Sequence, residues 1–219
     1  MKKTIEIKNL SKIFGEDKVL DNINLICNKG EITGIIGKNG SGKSVLLKCI
    51  CGILKESNGE IFICGEKNVD YIKHTHKVGA IIEAPAFLEN YNGIKNLELL
   101  YDVLNKSNRG YLKKIMKKVG LEPESKKLVS KYSVGMKQRL AIAQAIMEDQ
   151  DILILDEPMT GLDAEGAESI RELFLELKEK NKTILITTHN EEDVNRLCDY
   201  VYVMKQGKMY NRDTQEKWC

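Results

Sequence analysis

The chain has 219 residues, of which 30% are charged and 6% aromatic, and these values are typical of a globular protein rather than a disordered one. The formal net charge of +2, from 34 basic and 32 acidic residues, argues against nucleic acid or an anionic membrane surface as the main partner. No apolar run approaches the ~20 residues that span a bilayer, so the sequence predicts a soluble, intracellular protein.

The six cysteines suit a reducing compartment, where thiols stay free. Three of them lie in apolar segments and are interpreted as small core residues: Cys27, Cys64 and Cys198. His74 and His76 form an H-x-H pair that could hold a metal ion. Because no third ligand lies nearby in the sequence, a solvated loop is the favoured interpretation.

The N-terminal part is predicted to be mainly β. Strand-like runs lie at residues 5–7, 23–26 and 32–36. Asn58-Gly59 is typical of a hairpin turn, and residues 61–64 follow it with a strand pattern. We therefore expect an antiparallel β layer joined to the core that begins near residue 32.

Residues 37–44, Gly-Lys-Asn-Gly-Ser-Gly-Lys-Ser, fit the phosphate-binding P-loop pattern, and a strand and a helix flank them as that motif requires. Glycines let the backbone wrap closely around phosphate oxygens, and the positive helix end points at the same place. Lys43 places an ammonium on the phosphates, and the Ser44 hydroxyl can bind Mg²⁺. The predicted nucleotide-binding residues here are Gly37, Lys38, Asn39, Gly40, Ser41, Gly42, Lys43 and Ser44.

The middle of the chain changes character after a predicted strand at residues 78–82. Residues 86–128 show helical spacing and many lysines, and we interpret them as a helical insert with solvated charged faces. Four apolar residues share one predicted helix face: Leu97, Leu100, Tyr101 and Leu104. A further helix is predicted at residues 137–147.

The C-terminal part alternates strands and helices, which predicts a parallel sheet wound with helices. Strands are expected at residues 151–155 and 183–188, helices at residues 164–180 and 191–197, and a final hairpin that turns at Gln206-Gly207.

Polar residues follow several of these strands directly. Because ligands bind beyond the carboxyl ends of parallel strands, Glu83, Asp156, Glu157 and His189 should converge with the P-loop at one sheet edge. Asp156 is placed to hold Mg²⁺, and Glu157 to orient or deprotonate an attacking water. The alternative interpretation is an acidic pair that only caps the strand.

Taken in order, these motifs resemble the nucleotide-binding subunit of ABC transporters over nearly the whole chain. The matching elements are Phe14 as adenine-stacking aromatic, residues 37–44 as Walker A, Glu83 at the Q-loop glutamine, residues 133–139 as signature, Asp156-Glu157 as Walker B with the catalytic glutamate, residues 161–163 as D-loop and His189 as switch histidine.

The resemblance implies a role for each site residue. Ser133 and Gly135 would contact the phosphate of ATP, and His189 would hydrogen-bond the γ-phosphate and Glu157. Ser44, Glu83 and Asp156 would ligate Mg²⁺. Simple packing remains the alternative for Phe14, a satisfied core histidine for His189, and a surface residue for Glu83.

Two departures from the family pattern indicate a branch. The signature reads Tyr-Ser-Val-Gly-Met at residues 132–136 instead of Leu-Ser-Gly-Gly-Gln, and Met136 cannot make the polar contacts of the usual glutamine. Glu83 replaces the usual glutamine and adds a negative charge beside a polyanion. Together they look like the branch that serves bacitracin resistance and lantibiotic self-immunity.

The expected fold is therefore α/β: one ABC ATPase domain over residues 1–219, with a P-loop NTPase core of mainly parallel sheet and an antiparallel β subdomain. Residues 1–84 and 141–219 would form the catalytic core lobe, and residues 85–140 the helical subdomain. ATP and Mg²⁺ are the implied cofactors.

The implied partners are a separate transmembrane permease and a second copy of the chain or a paralogous subunit, with no nucleic acid. The chain would be cytoplasmic and peripheral on the inner face of the cell membrane. It would hydrolyse ATP to export an antimicrobial peptide or a hydrophobic drug. The alternatives are a non-transport ABC ATPase acting on ribosomes or DNA, and a non-hydrolysing nucleotide sensor.

Overall fold

The structure, a computed structural model, describes residues 2–68, 78–83 and 86–212 and contains two β-sheets. The smaller sheet has the strand order β2-β1-β4-β5, and all its neighbours are antiparallel. Its strands are β1 (Lys3–Phe14), β2 (Asp17–Asn28), β4 (Asn58–Ile63) and β5 (Glu66–Lys67).

The larger sheet has the order β10-β9-β3-β8-β7-β6. Every pair from β9 to β6 is parallel, and only β10 runs antiparallel to its neighbour. Its strands are β3 (Ile32–Ile36), β6 (Val78–Ile81), β7 (Ile152–Asp156), β8 (Thr183–Thr188), β9 (Tyr200–Lys205) and β10 (Lys208–Asn211). The predicted α/β fold, mainly parallel with an antiparallel β subdomain, is confirmed.

Six α-helices and one short 3₁₀ helix, Val129–Lys131, accompany these strands in the described ranges. The helices are α1 (Lys43–Ile50), α2 (Gly93–Tyr101), α3 (Arg109–Lys118), α4 (Val134–Ile146), α5 (Ala164–Glu179) and α6 (Glu191–Leu197). None of these described helices has both the length and the apolar character of a membrane span.

The parallel sheet separates two apolar clusters, and its central strands serve both. In β7, Leu153 and Leu155 belong to the cluster that contains the helices of residues 93–146 and α5. Ile152 and Ile154 belong to the cluster shared with α1 and the antiparallel sheet. Because successive side chains of a strand point to opposite faces, a strand buried on both faces must be apolar throughout.

The predicted turn at Asn58-Gly59 is wrong. Asn58 opens strand β4 opposite Ser11, and the pairing register shifts between Lys8 and Ser11. Gly59 has φ +95°, and a Cβ there would lie 2.5 Å from the Asn9 carbonyl oxygen, so the dipeptide lies in an irregular part of the β1–β4 ladder. Glycine suits such irregularities as well as turns.

The hairpin that follows β4 turns instead at Cys64-Gly65, where both residues have positive φ, +53° and +85°. Ile63 pairs with Glu66 across this turn. Two positive φ values in a two-residue loop are the requirement of a type I′ hairpin. The predicted C-terminal hairpin is confirmed, because β9 and β10 flank Gln206-Gly207.

The helical segment agrees only in part with the predicted apolar face. Leu97 is fully buried, but Leu100 and Leu104 are 41% and 56% exposed. Helix α2 ends at Tyr101, so Leu104 lies beyond it. Helix α4 begins at Val134 rather than residue 137, because the Ser133 side chain caps it by accepting the Met136 N–H.

Some sequence predictions concern residues that lie outside the described ranges or a boundary that the structure does not test. His74, His76 and the proposed boundary between residues 84 and 85 lie outside the described residues. The other proposed boundary, between residues 140 and 141, falls inside α4, and the division into lobes stays a prediction. Cys27 is buried, as predicted, whereas Cys64 and Cys198 are only half-buried.

Candidate active site

A cavity of about 760 Å³ opens at the carboxyl ends of the parallel strands. Its volume is in the range of small-molecule and cofactor sites. Ten of the predicted site residues line it: Asn39, Gly40, Ser41, Gly42, Lys43, Ser44, Glu83, Asp156, Glu157 and His189. The predicted convergence of the P-loop and the strand ends at one edge is therefore confirmed.

Lys43 lies at the start of α1 and brings a nearly buried ammonium to this cavity; 7% of the residue is exposed. Its Nζ lies 2.6 Å from the Gly37 carbonyl oxygen and 3.4 Å from that of Lys38. Glu157 Oε1 is 3.9 Å away. These contacts hold the positive charge within the loop, in place to meet an anion.

The first turn of α1 has no side-chain cap, since its N-cap residue is Gly42. The first N–H groups of a helix have no partner within the helix, and side chains, water or a ligand must satisfy them. An anion at this end would accept those N–H groups and interact favourably with the helix dipole. The local backbone therefore suits a phosphate.

Two glycines let the P-loop pack against its neighbours. Gly42 has φ +107°, and a Cβ there would lie 3.1 Å from the Val19 carbonyl oxygen of β2 and 2.9 Å from the Met204 side chain. A Cβ on Gly37 would lie 2.4 Å from the Met204 carbonyl oxygen. A larger residue would displace the loop from β2 and β9, so these contacts fix its position.

Glu157 and His189 form a contacting pair on the opposite wall. His189 Nδ1 lies 2.8 Å from Glu157 Oε2, and the histidine side chain is 70% exposed. Such exposure rules out the alternative of a satisfied core histidine. Glu157 has φ +47°, which is unusual for a residue other than glycine.

Glu83 borders the cavity with an ion pair that the sequence did not suggest. Its Oε1 lies 2.5 Å from Lys48 Nζ on α1, and its side chain is 60% exposed. Glu83 also has positive φ, +63°. The partner ammonium offsets the negative charge that a glutamate adds beside a phosphate site.

The signature residues lie at the exposed start of α4. Ser133 is exposed, and Val134 is 68% exposed. Gly135 is half-buried, and a Cβ there would lie 2.7 Å from the Gly161 carbonyl oxygen. Neither Ser133 nor Gly135 lines the cavity of its own chain. The phosphate contacts of Ser133 and Gly135 stay a prediction. Ser133 is exposed, so another molecule can reach it.

Phe14 lies at the end of β1, with 44% of the residue exposed, and it does not line the cavity. The ammonium of Lys12 lies 4.8 Å from its ring centroid. Such an arrangement is a cation–π contact that covers one ring face. The adenine-stacking role of Phe14 stays a prediction, and its exposure does not support simple core packing.

Five lining residues were not among the predicted site residues, although Val134 and Gln138 lie within the predicted signature: Val19, Val45, Val134, Gln138 and Thr160. Val19 comes from the antiparallel sheet, so only the tertiary fold brings it here. Gln138 is buried and donates a hydrogen bond from Nε2 to the Pro158 carbonyl oxygen, 3.0 Å away. Its position within the signature segment is the one sequence signal that could have indicated it.

The side chains present fit a bound Mg²⁺. Ser44, Glu83 and Asp156 all line the cavity and offer hard oxygen ligands. No group of three or more His, Cys, Asp or Glu side chains with metal-site geometry occurs within residues 2–68, 78–83 and 86–212. Mg²⁺ bound with a nucleotide takes only one or two protein carboxylates and completes its shell with phosphates and water, which suits this set.

Comparisons with known proteins agree with this geometry. The family model described as ABC transporter matches residues 20–160. The chain is 40% identical to the uncharacterized ABC transporter ATP-binding protein YybJ of Bacillus subtilis, over 97% of this chain and 96% of that protein. It is 36% identical to the bacitracin transport ATP-binding protein BcrA of Bacillus licheniformis, over 95% of this chain and 69% of that protein.

The lantibiotic transport ATP-binding protein SrtF of Streptococcus pyogenes is 34% identical, over 94% of this chain and 88% of its own. Among solved structures, a dimeric ATP-binding cassette in a post-hydrolysis state bound to ADP and Pi superposes with a TM-score of 0.85. That cassette is 26% identical, over 94% of this chain and 98% of its own.

The Lys48–Glu83 pair can be tested by a double-mutant cycle. We expect Lys48→Met to raise the KM for Mg-ATP about two- to fivefold, because the Glu83 carboxylate is then unpaired beside the phosphates. A change of this size corresponds to the free energy of a partly exposed ion pair. In a Glu83→Gln background the same substitution should change KM little. Steady-state ATPase kinetics measure both, with Lys29→Met as a charge-matched control. Equal effects in the two backgrounds would show that the pair is not coupled.

Proposed function

Because the chain belongs to the ATP-binding subunits of ABC transporters and hydrolyses ATP, we propose that it drives the export of an antimicrobial peptide or a hydrophobic drug. The relatives of known role support this substrate class, since their names record bacitracin transport and lantibiotic transport. The observation that carries the motor part of the proposal is the convergence of Lys43, Asp156, Glu157 and His189 on one cavity, whereas the substrate class rests on the relatives.

In this proposal the triphosphate lies on the P-loop. The N–H groups at the start of α1 and the Lys43 ammonium bind the β- and γ-phosphates. Ser44, Asp156 and Glu83 would hold Mg²⁺, which supplies charge neutralisation of the phosphates when bound. The Phe14 ring stacks on adenine through its free face.

Hydrolysis uses the pair on the opposite wall. The Glu157 carboxylate orients a water and accepts its proton as the oxygen attacks the γ-phosphorus, and the bond to the β–γ bridging oxygen breaks. The hydrogen-bond geometry supports this assignment, because His189 Nδ1 lies 2.8 Å from Glu157 Oε2 and so helps to orient the carboxylate. ADP and phosphate are the products.

A second subunit of the same kind completes each site in this proposal, either another copy or a paralogue. The exposure of Ser133 at the start of α4 supports it, because a partner molecule can reach this helix end. The partner's phosphate would meet the hydroxyl of Ser133 and the backbone at Gly135. Loss of the γ-phosphate removes that bridge, and the two subunits separate.

A separate transmembrane permease receives this motion, and the chain lies at the inner face of the cell membrane. Support comes from apolar side chains exposed in the helical subdomain, which we place at residues 85–140. The exposed residues are Leu88, Tyr91, Leu99, Leu100, Val103 and Leu104. Six exposed apolar side chains within residues 88–104 support an interaction surface in this segment.

The alternative of an ATPase that acts on ribosomes or DNA has less support. Its substrate is a polyanion, for which a strongly basic surface is expected. The formal net charge of +2 provides no such excess. The relatives named above are transport subunits, which favours the membrane motor.

The two-subunit site is tested by Glu157→Gln, which removes the proton acceptor but keeps the size of the side chain. At saturating Mg-ATP we expect the variant to accumulate as a dimer of twice 24.8 kDa, measured by light scattering after size exclusion. Glu172→Gln, at an exposed position of α5, is the matched control and should have the same oligomeric state as the wild-type chain. Adding Ser133→Arg should abolish the dimer. A monomer at saturating Mg-ATP would contradict a site completed by a second copy of this chain.

The export proposal is tested by susceptibility in the organism that carries the gene. Deletion should raise susceptibility to bacitracin or a lantibiotic several-fold, and the wild-type gene should restore resistance. Val103→Asp should not restore it, because a charge at this 73% exposed position disrupts the apolar surface, while ATPase activity of the isolated chain is retained. Ile53→Asp, at a 55% exposed apolar residue outside the subdomain, is the control. Unchanged susceptibility to bacitracin and to lantibiotics after deletion would refute an antimicrobial peptide as the exported substrate.

A further inference from the structure

Thr187, in the buried strand β8, lies behind both acidic residues of the active site. Its side chain is fully buried, with 0% of the residue exposed. The hydroxyl lies 2.5 Å from Asp156 Oδ1 and 3.0 Å from the backbone nitrogen of Glu157. The same Glu157 N–H also faces the Thr187 carbonyl oxygen at 3.2 Å. One residue therefore contacts both acids.

The direction of these hydrogen bonds is determined by chemistry. A hydroxyl has one proton to donate and can accept at its lone pairs. The hydroxyl oxygen accepts the Glu157 N–H, and because a carboxylate oxygen accepts rather than donates, the hydroxyl proton is donated to Asp156 Oδ1. Hydrogen bonds to an ionised acceptor are roughly twice as strong as neutral ones. The Thr187 hydroxyl thus fixes the orientation of the Asp156 carboxylate relative to the Glu157 backbone.

The backbone of Glu157 needs such support. Its φ of +47° lies in the left-handed region, which a residue with a Cβ adopts only when its surroundings hold it there. The side chain contacts His189 at 2.8 Å, but the backbone N–H is held by Thr187. Without the hydroxyl, that N–H keeps only the longer contact to the Thr187 carbonyl oxygen, 3.2 Å away.

The neighbouring Thr188 shows that this arrangement is particular to Thr187. The Thr188 hydroxyl lies 3.2 Å from Asp193 Oδ2 and accepts the Asn190 N–H at 3.0 Å. Those partners belong to the start of α6 and not to the cavity lining. Two adjacent buried threonines therefore belong to two different hydrogen-bond networks. The Thr187 hydroxyl bonds the carboxylate of Asp156, the proposed Mg²⁺ ligand, and the backbone N–H of Glu157, which is proposed to orient the water.

We propose that Thr187 is a positioning residue for ATP hydrolysis, which holds the Asp156 carboxylate and the Glu157 backbone in their working geometry through one hydroxyl. The proposal rests on the roles proposed above for these two acids. Thr187 does not itself reach the nucleotide, so its removal should act on turnover and on the Mg²⁺ requirement rather than on nucleotide affinity.

The test is Thr187→Val, which removes the hydroxyl and keeps the β-branched shape. We expect kcat for ATP to fall about tenfold to a hundredfold, the range for leaving a buried polar group unpaired. The KM for ATP should stay within about twofold, since binding on the P-loop side is untouched. The Mg²⁺ concentration for half-maximal activity should rise. Thr187→Ser, which keeps the hydroxyl, should recover most of kcat.

Thr33→Val is the matched control, because Thr33 is also fully buried in the parallel sheet, on β3, and takes no part in these hydrogen bonds. It should retain wild-type kcat. If the valine variant does not fold, Thr187→Cys replaces it in the comparison, because cysteine is of similar size and its S–H is a weaker donor. Its kcat should be lower than that of the wild-type chain. A wild-type kcat in the folded variant, or a serine variant as impaired as the valine one, would overturn the proposal.

Glu157→Gln, measured in the same assay, separates this proposal from the one on which it rests. Loss of hydrolysis in Glu157→Gln with a wild-type rate in Thr187→Val would overturn the role of Thr187 alone. A wild-type rate in Glu157→Gln would overturn the role of Glu157 and, with it, that of Thr187.

Discussion

The active site depends on a nearly buried positive charge that must face an anion. Burying an ammonium is unfavourable unless hydrogen bonds or an opposite charge compensate it. The Lys43 ammonium has the Gly37 and Lys38 carbonyl oxygens as partners, and the Glu157 carboxylate lies 3.9 Å away. Carbonyl dipoles compensate a full charge only in part, so a phosphate is a better partner than the chain itself provides. The P-loop therefore holds the Lys43 ammonium in a position where it can bind a phosphate.

The two sheets cooperate to keep that loop in place. The parallel sheet brings the P-loop, the acids and His189 to one edge, and the antiparallel sheet supplies β2, against which Gly42 packs. The turn between β9 and β10 adds a hydrogen bond from the Gly207 N–H to the Ser41 carbonyl oxygen, 3.1 Å away. The site is therefore a property of both sheets, although the motif itself is only eight residues long.

Motifs whose chemistry is local could be predicted from the sequence, and the strand ends around the P-loop followed from the general topology of parallel sheets. Contacts between distant segments could not. The ion pair of Lys48 with Glu83 joins residues 35 positions apart, and nothing in either neighbourhood indicates it. Asn58-Gly59 was misassigned because glycine suits an irregular strand pairing as well as a hairpin turn. Phe14 matched a pattern, yet it does not line the cavity.

The most direct test of the central claim is nucleotide binding by Lys43→Ala, measured by isothermal titration calorimetry with ATP and Mg²⁺. Removing a buried ammonium that faces the phosphates should weaken binding by at least about tenfold, because charge-assisted hydrogen bonds are lost. Lys55→Ala, which removes an equal charge outside the cavity lining, should bind as wild type. ATP affinity in Lys43→Ala equal to that of the wild-type chain would contradict the account.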